Sequence, residues 1–411
     1  MKTWLIILVF FSEGLYFGTL SLFSRQHEVG DQGLIYFNFL LAIVCGLMFF
    51  KGIVIKIRSQ EFKVATSKIQ VLIITSLLAV SIMISYSKFN QSEFLPQIFK
   101  YFISFTVPAT LLGLTVSWSD VKGIDQKLKF VNLYLTFCFA ISLLSQSSTE
   151  LGMLNNIAGA SHLMVGYTMS ALFAYNLLKL VGSKSFFSRL YHLSLISANV
   201  AIIVFSGSRG SLVVIVVLFL VIMRKYLLNR RKIVMMSFIV VIMIGLFNFL
   251  ESNQNYRFAI ERMKSGFNLS GDQSSLERVV LYQRAIDAFK ASPIIGNGIG
   301  SFSHQMGFYY YPHNIFIEIL NDFGLTGIFI SLILAKVLIR KLRHIFKTEI
   351  KSNLVVFLFL NIFIQLFFSG SYLVSAQFWL TFVIIWTTRV DVNYGVEKIQ
   401  EVKKMNPLLV K

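Results

Sequence analysis

Residues 190–228 read LYHLSLISANVAIIVFSGSRGSLVVIVVLFLVIMRKYLL. Two apolar stretches, 190–206 and 211–228, flank the short polar segment Ser206-Gly207-Ser208-Arg209-Gly210, and the second runs into Arg224-Lys225. A membrane helix needs roughly 20 mostly apolar residues. The segment therefore reads as two spans joined by a tight turn, with basic residues at the far end of the second. The same pattern recurs in both directions along the chain. Twelve apolar runs fall near 4–23, 33–50, 69–87, 96–117, 130–146, 158–181, 190–206, 211–228, 233–250, 314–335, 354–369 and 372–388.

Composition agrees with this reading. Of 411 residues, 55% are hydrophobic and 14% charged, where a soluble domain carries about a quarter charged residues. Phe is abundant (41) and Pro scarce (5), as long apolar helices require. Cys45 and Cys138 both lie inside apolar runs, which excludes a disulfide scaffold and a cysteine-based zinc site. The first run follows only Met1-Lys2-Thr3 and lacks a small-residue cleavage site, so it reads as an anchor.

The basic residues give an orientation. With the N-terminus inside and the spans alternating, the inner segments hold 28 of the 38 basic residues and seven of the 19 acids, a balance of +21 against −2 for the remainder. That asymmetry follows the positive-inside rule and accounts for the whole net charge of +19 without nucleic acid as a partner. The expected fold is all-α, a polytopic membrane protein of about twelve transmembrane helices with one large outer loop containing helices. Helices 1–9 occupy residues 1–250, the loop 251–312 and helices 10–12 residues 313–390, with a cytoplasmic tail over 391–411. In the loop, Ser274 with Glu277 predicts a capping box. Leu276, Val279, Val280, Ile286 and Phe289 predict an apolar helical stripe that ends before Pro293, with Gly296, Gly298 and Gly300 forming a turn-rich exit.

Three places carry candidate chemistry, all on the outer side. The Ser206–Gly210 turn feeds a helix N-terminus, whose free N–H groups favour an anion. There Gly207 and Gly210 allow tight geometry and close backbone approach, and Arg209 offers a fork suited to phosphate oxygens. The bland alternative is a tight turn with an arginine snorkelling to headgroups. The loop helix bears Arg278 and Arg284, with Arg257, Arg262 and Lys264 upstream. Six residues apart, Arg278 and Arg284 do not share one helix face; the alternative here is a solvated polar face. Pro312-His313-Asn314 opens the tenth run. Pro suits the first helical position, which places His313 in the first turn, where the positive helix end favours a neutral imidazole. The alternative is an interfacial histidine beside Tyr309, Tyr310 and Tyr311. Glu318 and Asp322 follow inside an apolar run, where polar groups are costly. Glu13, Lys100, His162 and His192 are weaker intramembrane candidates. No Asp-x-Asp, metal-spaced cluster, Walker A loop or dinucleotide fingerprint occurs.

The ordered set Ser206-Gly-Ser-Arg-Gly210, Glu277-Arg278, Ala285, Phe289, Ser292-Pro-Ile-Ile-Gly-Asn-Gly298, His313-Asn314, Glu318-Ile-Leu320 and Gly324-Leu-Thr-Gly327 resembles the O-antigen ligase/polymerase family of bacterial membrane glycosyltransferases. The resemblance covers about 200–330. It implies about twelve helices with a large periplasmic loop, an active site at the periplasmic face of the bacterial inner membrane and cytoplasmic termini. The implied donor is a glycan on undecaprenyl pyrophosphate. The expected activity is O-antigen or surface-polysaccharide polymerase, with a lipid-linked repeat unit as acceptor; the alternative is an O-antigen ligase using lipid A–core. Residue by residue, Arg209 and Arg278 would hold the pyrophosphate and His313 would assist the acceptor hydroxyl. Arg284, Ser208, Gly210, Asn314 and Glu318 would contact substrate. No cofactor or metal is expected, because arginines take the place of a metal in neutralising the diphosphate. Membrane lipids, a chain-length regulator and a flippase are further candidate partners. A twelve-span transporter is the distant alternative. It fits less well because transporter sites lie near the midplane, often in repeated halves, and here the polar residues collect at one boundary and in one loop.

Overall fold

A computed structural model describes residues 1–22, 32–58, 66–89, 94–145, 162–226, 273–307, 310–347 and 353–388, with isolated positions between 237 and 252. The described residues are helical and include no strand. The ninth run, at 233–250, lies almost wholly outside them, as do Arg257, Arg262 and Lys264 of the loop and the tail from 389.

The chain opens with α1 (Lys2–Phe10) and α2 (Ser12–Ser21), two helices bent by 72° at Phe11, where a single span was expected. Next come α3 (Gln32–Arg58), α4 (Thr66–Lys88) and α5 (Phe94–Tyr101). A π-helical turn (Phe102–Thr106) then leads into α6 (Val107–Thr115). The fifth run belongs to a longer helix, α7 (Trp118–Ser145), whose first turns carry Asp120, Lys122, Asp125, Lys127 and Lys129. After α8 (His162–Gly182) and α9 (Phe186–Phe205), the Ser206–Gly210 turn opens α10 (Arg209–Tyr226). The loop contributes α11 (Gln273–Ala291) and α12 (Ser301–Met306). Three helices follow: α13 (Ile315–Lys347), α14 (Asn353–Gln365) and α15 (Ala376–Thr387).

By length and composition, six of the described helical stretches can cross a membrane, or seven if the bent pair α1–α2 counts as one span. The apolar helices α14 and α15 are shorter, at 13 and 12 residues. The described residues thus define a helical membrane protein whose span count is not set at twelve.

In lipid, helix association relies on close packing and interhelical hydrogen bonds more than on apolar burial. Glycines supply the close approaches: a Cβ on Gly113 would stand 2.8 Å from Val383, and one on Gly14 would stand 2.9 Å from Thr168. A buried polar web ties α7, α8, α9 and α14 together. Asn132 and Asn176 exchange bonds of 2.9 and 3.2 Å, and Thr136 donates to Asn199 at 3.0 Å. Ser170 donates to Asn361 at 2.6 Å. His192 contacts Asn176 at 3.1 Å, which gives this intramembrane histidine a structural place.

Two ends of the bundle can be told apart. At one, Lys2 and Lys68 donate to the carbonyls of Thr115 and Leu114 (2.9 and 2.6 Å), capping the C-terminus of α6 with positive charge. At the other, where α5 begins, Leu95 and Ile98 pack on Gly300 and Lys88 donates to Asn297 at 2.9 Å. The described parts of the three candidate places, the Ser206–Gly210 turn, the loop helix and the His313 turn, gather at this second end.

Candidate active site

The turn at Ser206–Gly210 forms because Gly207 takes φ 63, a left-handed value that favours glycine. Ser206 Oγ donates to Ile203 O and accepts from Ser208 N–H, so the hydroxyl serves the helix end. Ser208 Oγ lies 2.6 Å from Ser211 Oγ, and both press on Gly166 of α8. Gly210 is packed against the Tyr167 hydroxyl, leaving no room for a β-carbon. Ser208 and Gly210 are buried turn residues, while Arg209 is partly exposed and extends to the loop helix, its Nη1 3.5 Å from Ser275 Oγ.

The loop helix α11 exists and ends before Pro293, but two details differ from expectation. Ser274 lies inside the helix, not at its N-cap. The face turned inward is Leu281, Ala285 and Ala288, of which Leu281 and Ala285 pack with Phe302, Met306, Tyr310 and Ile317. Leu276, Val279 and Val280 are about half exposed (48%, 55% and 50%). Arg278 is partly buried, and its charge acts on His313 and on Tyr282. Arg284 is exposed and its Nη1 rests 3.1 Å from Met306 Sδ; this structure does not bring it to Arg209 or His313.

Gly296, Gly298 and Gly300 all have positive φ (76, 95 and 79). Their turn is joined to α13 by backbone hydrogen bonds. Asn297 and Gly298 N–H donate to the carbonyls of Asn321 and Asp322 (2.8 and 3.0 Å), and Leu325 and Thr326 N–H donate to those of Pro293 and Ile294 (2.9 and 3.0 Å). This pairing occurs where α13 is interrupted at Gly324 (φ 61, ψ −152). Broken backbone at membrane depth persists only where other groups satisfy it, and residues 293–298 do so here.

His313 differs from the expected first-turn position. The helix starts at Ile315, and Asn314 is its N-cap: Asn314 Oδ1 accepts from Phe316 and Ile317 N–H at 3.0 and 3.2 Å. His313 precedes the cap with φ 56, the only described non-glycine residue at positive φ. Such strain tends to mark functional positions. Its ring lies against Tyr311 (4.5 Å between centroids) and Tyr310 (5.3 Å), and its Nδ1 is buried without a hydrogen-bond partner among the described residues. Burial first, and then the Arg278 charge, lower its pKa to about 4, so the imidazole is neutral at pH 7. The direction agrees with expectation, but the causes are desolvation and a guanidinium and not a helix end. Asn314 is also hydrogen-bonded to the Tyr282 phenol oxygen, which ties the loop helix to the same turn.

Glu318 and Asp322 lie one helical turn apart on α13, both 4% exposed. Glu318 Oε1 accepts from the Ser371 hydroxyl, and Oε2 has no partner among the described residues. Asp322 Oδ2 accepts from the Tyr372 hydroxyl at 3.0 Å. With Tyr311 and Ser303 they border a cavity of about 20 Å³, room for a single water. Glu318 is thus a buried residue beneath the histidine turn. Among the described residues no group of three His, Cys, Asp or Glu side chains is placed to hold a metal ion.

Sequence reasoning missed Tyr167, Tyr282, Tyr311 and the 366–374 turn. Tyr311 is buried, which pushes its phenol up to about 12, with Glu318 adding to the effect; it accepts a backbone hydrogen bond from Gly370. No local motif marks them: Tyr167 and the 366–374 turn reach the site from remote parts of the chain, and Tyr282 and Tyr311 stand near Arg278 and His313 as ordinary interfacial tyrosines.

The fold and site define a polytopic membrane protein with two arginines and a neutral histidine gathered at one end of its helices. Residues 193–332 match the Wzy_C family model, described as O-antigen ligase. That span runs from α9 into α13 and contains the Ser206–Gly210 turn, α11 and the His313 turn, and the match supports the O-antigen ligase/polymerase family for this chain. Comparison with curated proteins and with solved structures gives no match.

Proposed function

We propose that this protein is a metal-independent polymerase of surface polysaccharide in the bacterial inner membrane. In this reading its site is periplasmic and its termini cytoplasmic. It moves a glycan from undecaprenyl pyrophosphate to the end of a lipid-linked repeat unit. The observation that carries the reading is the convergence of Arg209, Arg278 and His313, from three separate segments, at one end of an apolar helical bundle.

A glycosyl pyrophosphate is already activated. The enzyme has to stabilise the departing diphosphate and take a proton from the incoming hydroxyl. Arg209 stands at the N-terminus of α10, where the helix end and its guanidinium together favour an anion. Arg278 faces it from the loop helix and completes the clamp, and fixed charges of this kind act where charge develops in the transition state. His313 is neutral and able to accept a proton. Its weak basicity arises partly from Arg278, so a diphosphate bound to that arginine raises the imidazole's proton affinity as the donor arrives. Ser208, Gly210 and Asn314 then shape and hold these groups, and Glu318 supports the turn from below.

A ligase transferring the glycan to lipid A–core is the second reading, favoured by the ligase description of the matched family. Surface polysaccharide from cells carrying His313→Ala, Arg209→Lys or Arg278→Ala distinguishes the two. Loss of long glycan with a single repeat left on lipid A–core supports the polymerase. Bare core with polymer accumulating on the carrier lipid supports the ligase. Wild-type glycan in all three variants removes the site assignment. Transfer abolished by EDTA and restored by one divalent ion would remove the metal-independent mechanism.

A further inference from the structure

Lysines near the ends of the described spans are mostly accounted for by the protein itself. Lys2, Lys68 and Lys88 each donate to a backbone carbonyl, Lys341 donates to the carbonyls of Trp386 and Thr388, and Lys179 pairs with Asp125. Lys100 is different. It is exposed and makes no hydrogen bond or ion pair among the described residues. It sits on α5, six residues after Phe94, about 9 Å into the span at 1.5 Å per residue. A cation at that depth is costly unless an anion or the headgroup layer meets it.

The surroundings of Lys100 are shaped as well as apolar. A cavity of about 520 Å³ lies between α3 and the α5–π-helical segment, bordered by Ile35, Tyr36, Phe39, Phe99 and Ile103 with Lys100 among them. Its volume falls in the range of ligand pockets. The π-helical turn Phe102–Thr106 begins two residues beyond Lys100, and such turns are frequent at functional positions. The groove opens at the same end of the bundle as the candidate active site. The opposite face of α5 contributes Ile98 to the cavity beside Glu318.

We propose that this groove is a binding site for an anionic phospholipid of the membrane leaflet on the active-site side. Its phosphodiester meets the Lys100 ammonium and one acyl chain lies along Ile35, Phe39, Phe99 and Ile103. The charge of Lys100 selects the headgroup, and the aromatic and branched walls take the chain. The proposal rests on the membrane setting alone and is independent of the glycosyl-transfer reading.

The test uses the full-length protein in detergent micelles, with phosphatidylglycerol or phosphatidylcholine of identical acyl chains added and retained lipid read by native mass spectrometry. Wild-type protein is expected to retain phosphatidylglycerol about fivefold over phosphatidylcholine, the contribution of one basic side chain beside an anionic lipid. Lys100→Arg keeps that preference and Lys100→Gln loses it. Equal retention of the two lipids by wild-type protein overturns the proposal whether or not the variants fold. So does an unchanged preference in Lys100→Gln. Selective retention of a polyprenyl phosphate over phosphatidylglycerol likewise overturns it, by assigning the groove to a different lipid.

Discussion

Replacing Gly210 with alanine tests how the arginine turn is held. A β-carbon there would collide with the Tyr167 hydroxyl and stand 3.1 Å from Tyr167 Cζ and 3.3 Å from Phe368 Cβ. Overpacking of this kind costs about 1–3 kcal/mol, and the strain falls on the residue directly after Arg209. If the guanidinium is carried off by about 1 Å, the expected loss in transfer is on the order of 10²-fold. The Tyr167 hydroxyl is buried and has no hydrogen-bond partner among the described residues. Tyr167→Phe alone should therefore be tolerated, and in combination with Gly210→Ala it should restore both melting temperature and activity by removing the colliding oxygen. The assays are thermal melting in detergent and glycan synthesis in a strain lacking the native gene. A double variant no better than Gly210→Ala alone refutes the reasoning, because the clash would then lie somewhere other than the tyrosine oxygen.

Arg278→Gln should raise the pKa of His313 from about 4 towards its ordinary value, since one of its two causes is removed while burial remains; ¹³C-histidine NMR titration of purified protein measures this. With the folded-state value lowered from 6.5 to about 4, the unfolded chain binds more protons in that window, so stability should fall as pH drops through it. A melting temperature insensitive to pH across the window would count against a buried, unprotonated His313. Asn314→Ala removes the acceptor for Phe316 and Ile317 N–H and should lower stability by about 1 kcal/mol. Asn314→Asp, which can still cap, should recover most of it. Gly324→Ala puts a β-carbon 2.6 Å from Gly296 N and Ile294 O at φ 61 and should destabilise by at least about 1–3 kcal/mol; a variant that melts like wild type would show that the break in α13 can relax.

Helices were readable in the sequence wherever lipid demands an uninterrupted apolar run, as in α3, α4 and α9. The arginine turn, the loop helix and the histidine were readable because their residue types are expensive or conformationally special where they stand. What escaped depends on tertiary partners. Leu276, Val279 and Val280 looked like a core stripe, yet Leu281 with the small residue Ala285 faces inward, because Phe302 and Tyr310 fill the space opposite. The break at Phe11 has no Pro to announce it. His313 was displaced from the first turn because Asn314, one residue on, is the stronger cap. Tyr167 and Ser371 are common residue types whose meaning appears only once α8 and the 366–374 turn are brought beside segments far away in sequence.

The backbone pairing between residues 293–298 and the interruption in α13 has a consequence for spacing along the chain. It anchors the C-terminal end of α11, so the direction of the Arg278 side chain is counted from Pro293, fifteen residues downstream. One residue inserted between them would turn the guanidinium by about 100° around the helix and point it away from the histidine. The tolerated length variation on that side should therefore come close to zero, however freely the composition of the exposed face drifts.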